Sequence, residues 1–118
     1  MSTNFYFLEA GDESYQDANH IGLSAAGLFV FHAFPEKGLT TFEAWQKFLQ
    51  AAGRTIVDEY NRPRTAAEFT HLVQITKNGA ASAGYLNSPQ LPATEKITLE
   101  IRRYRDENGH MFANYNFC

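Results

Sequence analysis

Residues 40–77 read TTFEAWQKFLQAAGRTIVDEYNRPRTAAEFTHLVQITK. The stretch holds two helix-start signals of one kind, Thr40-Thr41-Phe42-Glu43 and Thr65-Ala66-Ala67-Glu68. Each is a Thr-x-x-Glu capping box, whose hydroxyl and carboxylate satisfy backbone N–H groups left without partners in a first helical turn. Behind the first box, Phe42, Trp45, Phe48, Leu49 and Ala52 recur at helical spacing, which predicts a helix from about Thr41 to Ala52. Gly53 is placed to end it in the left-handed conformation. Thr55 to Tyr60 follows as a strand, β-branched at its start, and Asn61-Arg62-Pro63-Arg64 as a turn. A second helix is predicted from about Ala66 to Lys77, with Phe69, Leu72, Val73 and Thr76 as its buried stripe and Lys77-Asn78-Gly79 as its stop. Apart from their caps the two helices share little, so they are not copies of a repeat.

On the N-terminal side, Asn4 to Glu9 is β-prone on both faces, and Gly11 to Asn19 is polar, acidic and rich in turn formers. His20 to Phe34 admits two readings. Leu28 to Phe34 suits a buried strand, whereas the small residues Leu23-Ser24-Ala25-Ala26-Gly27 would let the whole run be a helix. The strand is the expectation, and Pro35 ends either form. On the C-terminal side, residues 79–95 are a seventeen-residue loop without periodicity, long enough to suggest function or mobility. Beyond it, Ile97, Leu99 and Ile101 alternate with polar residues, Asp106-Glu107-Asn108-Gly109 forms a turn, and Met111, Ala113, Tyr115 and Phe117 alternate on the return. The expected order is β-β-α-β-α-β-β. The fold class is α+β, a mixed and mostly antiparallel sheet with two helices packed on one face, in a single domain over residues 1–118.

A chain of 118 residues with 44% hydrophobic and 14% aromatic content can build a core without metal or disulfide staples. Its lone cysteine, Cys118, forms no internal disulfide, and Met1-Ser2-Thr3-Asn4 lacks the positive start of a signal peptide. No stretch approaches the ~20 apolar residues of a membrane helix. A cytoplasmic setting, without membrane or cofactor, is expected.

The net charge of −3 is unevenly spread. Residues 1–36 carry five acids and no Lys or Arg, whereas residues 37–118 carry eight acids against ten bases. Asp12, Glu13, Asp17 and His20 fall within nine residues, but neither the calcium-loop pattern nor zinc spacing is present, so no metal is expected. An acidic segment of this kind keeps a small protein soluble, and it can also steer a basic partner. Arg102-Arg103-Tyr104-Arg105 is the one basic cluster; on a strand its charges divide between two faces, and the chain as a whole is acidic, so nucleic acid is not the expected partner. Exposed arginines paired with Glu100, Asp106 or Glu107 are expected there.

His32, His71 and His110 are scattered: the first in an apolar run, the second beside a helix stripe, the third after the hairpin turn. Catalysis by any of them needs a partner such as Asp58, Glu59 or Glu100 within hydrogen-bond reach. Asp58 and Glu59 are adjacent on a strand and point to opposite faces, which argues against a shared acid–base role. Ser24 lacks a nucleophile-elbow pattern, and Gly22 and Gly27 do not form a phosphate loop.

The expectation is a small acidic protein that works by contact with a protein partner, of an inhibitor, immunity or mobile-element accessory type. Asp12, Glu13 and Asp17, with Tyr85 of the long loop and Arg103 and Arg105 of the hairpin, are its candidate contact residues, and no catalytic residue is assigned. The alternatives are a small hydrolase with a His/carboxylate site and an assembly subunit pairing through its terminal hairpin. Whether the protein is a monomer or a homodimer is left open.

Overall fold

The computed structural model describes residues 2–25, 27–75 and 87–117. Strand β1 spans Ser2–Leu8, β2 His20–Ala25, β3 Leu28–His32, β4 Thr55–Asp58, β5 Pro63–Arg64, β6 Arg103–Arg105 and β7 Met111–Ala113; helix α1 spans Phe42–Gln50 and α2 Ala66–Ile75. The strands form one sheet in the order β5-β4-β1-β2-β3-β7-β6. β3 and β7 pair in parallel and the other neighbours antiparallel. The fold is therefore the expected α+β arrangement with a mixed, mostly antiparallel sheet.

Both helices pack on one face. Phe42, Trp45 and Leu49 of α1 and Phe69 and Val73 of α2 join Phe5, Phe7, Phe29, Phe31 and Phe112 in the main core. The rings meet edge to face or offset, as at Phe29–Phe69 with centroids 5.3 Å apart and Phe31–Phe112 at 5.1 Å. The opposite face carries a second cluster, Leu28, Val30, Met111 and Ala113, covered by Tyr115 and Phe117. Tyr15 covers the same face at β1, stacked on Tyr6 at 3.9 Å.

The second capping box forms as written: Thr65 Oγ1 accepts from Glu68 N, and Glu68 Oε1 accepts from Thr65 N. The first box is displaced. Thr41, not Thr40, caps α1, accepting from Ala44 N at 3.1 Å. Glu43 then sits too early to reach back, and it pairs with Lys47 instead. The orphaned Phe42 N–H donates to Asp106 Oδ2, brought in from 64 residues away. Helix α1 ends two residues earlier than expected, and Ala52 (φ 56°) and Gly53 (φ 66°) both adopt the left-handed conformation.

The ambiguous run 20–34 resolves into two antiparallel strands. The strand expected at 28–34 is present as β3, and β2 precedes it in a hairpin in which Gly22 pairs with Phe31 and lies under the Phe29 ring. The C-terminal hairpin is shorter than its alternation implied. Tyr104 pairs with Phe112, but residues 97–102 lie outside the strands. Ile97 is buried and Ile101 packs on the core, whereas Leu99 between them is 88% exposed. On a strand all three would share a face; here Ile101 N donates to Thr98 O and the chain turns.

Candidate binding site

The structure brings together two residues that the sequence kept apart. Between Phe5 and Tyr6 the β1–β2 register slips: Phe5 pairs with Gly22, but Tyr6 pairs with His20. The extra residue, Ile21, goes into the main core. Alternation alone would put His20 on the face of Gly22, under the helices; the slip turns it to the other face, beside Tyr6. His32 already lies on that face, because Phe31 points into the helix-side core. The two imidazoles meet with Nδ1 atoms 3.0 Å apart, and His20 Nε2 lies 2.8 Å from Asn4 Oδ1.

Both rings are enclosed, His20 fully and His32 to 6% exposure. Phe34 stacks on His32 at 4.2 Å, and Phe117 packs against both imidazoles. Burial lowers the pKa of His20 from 6.5 to about 4, with His32 adding to the effect and the Gly22 carbonyl opposing it. Burial likewise lowers His32 to about 4, against the pull of the Glu36 carboxylate. Both are therefore neutral near pH 7.

With Asn4 turned so that its Oδ1 faces the ring, one set of tautomers joins the three side chains. A carbonyl oxygen only accepts, so with Asn4 Oδ1 facing it, His20 Nε2 carries the hydrogen. His20 Nδ1 is then a bare acceptor, and His32 Nδ1 donates to it. His32 Nε2 is left as a lone pair, with no hydrogen-bond partner among the described residues. Trp45 Nε1 donates to the His32 carbonyl at 3.1 Å and fixes the backbone beneath.

His32 lies where two hollows adjoin. One, of about 510 Å³, is walled by Phe34, Ile97, Leu99 and Tyr115, with Glu36, Lys96 and Asn114 as polar groups. The other, of about 470 Å³, includes His20, Phe117, Asp17 and Lys37. Each lies in the range of small-ligand clefts.

The acidic loop lies next to this cleft. Asp12, Glu13 and Asp17 are exposed, as expected, and Asp17 lines the second hollow. The loop is pinned: Tyr15 OH donates to Glu59 O at 2.8 Å, Asn61 Nδ2 to Glu13 O at 3.1 Å, Asn19 Nδ2 to Phe7 O, and Glu9 N to Asp12 Oδ2. Tyr60, 64% exposed, stands on the turn that holds it. The basic candidates lie elsewhere. Arg103 and Arg105 are on β6, four strand spacings of about 4.8 Å, or about 19 Å, from β1. Arg105 reaches Ser88 O, and Arg102 lies over the Tyr115 ring. Of the carboxylates expected to pair with these arginines, Glu100 takes the Thr98 hydroxyl, Glu107 faces Ala93 N, and Asp106 accepts backbone N–H groups. Tyr104 is buried and donates to Thr40 O, so it offers no stacking surface. Tyr85 lies outside the described residues.

Burial pushes the Asp58 carboxyl up, but hydrogen bonds from Arg62, Arg64 and Tyr60 together outweigh it and hold it below its usual value. Glu59 accepts from Asn4 N. His71 is exposed rather than set against the buried stripe of α2. Among the described residues, no three His, Cys, Asp or Glu side chains converge as metal ligands, and no helix is long and apolar enough to cross a membrane. The His20–His32 pair was the feature that sequence reasoning missed; Phe5-Tyr6 against Ile21-Gly22 carries no visible sign of a register slip. Comparison of the chain with protein-family models, curated proteins and solved structures gives no match.

Proposed function

We propose that this protein acts by contact with another protein, presenting Asp12, Glu13 and Asp17 to a basic surface while the adjoining cleft receives part of the partner. The observation that carries this reading is the pinned acidic loop. Its carboxylates are exposed, yet its backbone is tied to β1 and to the β4–β5 turn through Tyr15, Asn19 and Asn61. A loop ordered in advance loses little entropy on binding, and its charge steers a basic partner into place. A reducing compartment such as the cytoplasm is the proposed setting, supported by the single cysteine.

The hydrolase reading is weaker on chemical grounds. A neutral imidazole of pKa about 4 is a poor general base near pH 7, and Asp58 is engaged by two arginines. Assembly through the β6 edge is also weaker. Arg105 N already donates to Pro89 O at 2.8 Å, and Leu91 N to Arg105 O at 2.9 Å.

The test is affinity capture from the native host followed by mass spectrometry, with the wild-type chain and with the triple reversal Asp12→Lys, Glu13→Lys, Asp17→Lys. The expected result is a partner retained by the wild type and lost by a reversal variant with an unchanged circular dichroism spectrum. Equal capture by both proteins would overturn the assignment of the loop.

A further inference from the structure

We infer that the cleft over His32 is built to receive a neutral aromatic hydroxyl, a tyrosine side chain of the partner, with His32 Nε2 accepting its hydrogen bond. The inference rests on the contact reading and names the group that enters the site.

Three observations converge on it. First, the Asn4–His20–His32 relay leaves His32 with an acceptor at the ring edge and no ring N–H to spare. Phe34 covers one face of the imidazole and Phe117 packs at a tilt against it, so a ligand arrives at the edge, in the plane of the lone pair. Second, the ring stays neutral near pH 7 because burial opposes its charge. It therefore takes a hydrogen from a ligand O–H or N–H and sets a lone pair against a carboxylate or phosphate oxygen. Third, Phe34, Ile97 and Tyr115 give the cleft an apolar and aromatic side, with Glu36, Lys96 and Asn114 polar beside it, which suits a donor carried on an apolar body. A phenol meets both demands on a rigid ring. Tyrosine is also the side chain that combines a large contact area with a polar tip at protein interfaces.

The relay constrains the class of ligand more than the hollow does. An apolar pocket discriminates weakly between ligands of similar size, whereas an acceptor that a ligand covers without supplying a donor penalises that ligand. Toluene and p-cresol differ by that one hydroxyl, and 4-methylbenzoate replaces it with an anion.

The experiment uses the 118-residue chain, uniformly labelled with ¹⁵N, and reads the imidazole nitrogens by NMR at pH 7. The expected spectrum has His20 protonated at Nε2 and His32 protonated at Nδ1, with His32 Nε2 showing the shift of a bare nitrogen. Addition of p-cresol should move the His32 Nε2 resonance saturably; toluene should bind about tenfold more weakly, and 4-methylbenzoate should leave the resonance unmoved. A His32 protonated at Nε2 would overturn the inference while leaving the acidic-loop contact intact. A bare Nε2 that ignores p-cresol, or binding of toluene as tight as that of p-cresol, would also overturn it. Loss of the contact reading itself would appear in the capture experiment, which does not depend on this resonance.

Discussion

Gly22 has no room for a side chain. A Cβ built there would lie 2.4 Å from the Val30 carbonyl oxygen and 2.5 Å from the Phe29 ring. The first of these atoms is backbone and belongs to the paired strand, so relief requires the β2–β3 ladder to move. We expect Gly22→Ala to lower stability by about 3 kcal/mol, read as a reduced urea midpoint with unchanged slope. A loss under about 1 kcal/mol would mean that the ladder yields easily and that the close approach is not a constraint. The neighbouring Ile21 is the residue that the register slip sends into the core. One glycine and one extra residue therefore let the hairpin close against Phe29 and let His20 reach His32.

The ends of α1 and α2 show two ways of solving one problem at the scale of elements. α2 carries its own cap in the reciprocal Thr65–Glu68 pair, and the Thr65 backbone N–H, with the Thr65 side chain, holds the Glu68 carboxyl below its ordinary pKa. α1 uses Thr41 for one N–H and borrows Asp106 from the β6–β7 turn for another. Asp106 accepts from the turn as well, through Asn108 N and His110 N. One fully buried carboxylate thereby ties the terminal hairpin to the start of the first helix. Replacing Asp106 with Ala should cost about 2–4 kcal/mol, because three N–H groups lose their acceptor at once. Replacement with Asn, which keeps one carbonyl oxygen, should cost less. Urea unfolding followed by the fluorescence of Trp45, the single tryptophan, measures both; an Asp106→Ala variant as stable as the wild type would show that the helix end and the turn are not coupled through this group.

At the scale of the whole molecule the two faces of the sheet are held differently. The helix side is a continuous aromatic and aliphatic core around Phe31, Trp45 and Phe112. The other side mixes a small apolar cluster with two neutral imidazoles under Phe117. This asymmetry gives stability a defined pH dependence. His20 and His32 have folded pKa values of about 4 against an ordinary 6.5. The unfolded chain therefore binds protons between those values that the folded chain refuses. The contribution of the pair is fully present above pH 6.5, declines as pH falls toward about 4, and changes little below that. Asp58 acts in a separate and more acid window: its carboxyl is held below 3.8, so its contribution is lost only as pH falls under that value. Urea midpoints measured from pH 7.5 to 4 should be flat at first and then fall below about 6.5. A flat profile across the range would show that the imidazoles are not buried in their neutral form.

The sequence by itself determined the features governed by short-range physics. The two helices, the strand between them, the turn at Asp106–Gly109 and the α+β class follow from caps, apolar spacing and turn residues within a few positions of one another. The same local signals failed where a distant group changed the outcome. The alternation of Ile97, Leu99 and Ile101 described a strand, but burial of the first and last against the core made a turn with Leu99 outside. The Thr40–Glu43 box was displaced by one residue, with Asp106 supplying an acceptor from 64 positions away. The acidic loop was visible as charge, whereas its rigidity depends on Glu59 and Asn61, more than forty residues on. The His20–His32 cleft was decided by tertiary structure alone. Which face a strand residue occupies depends on the register with its partner, and a slip of one residue reverses that face without leaving any mark in composition or periodicity.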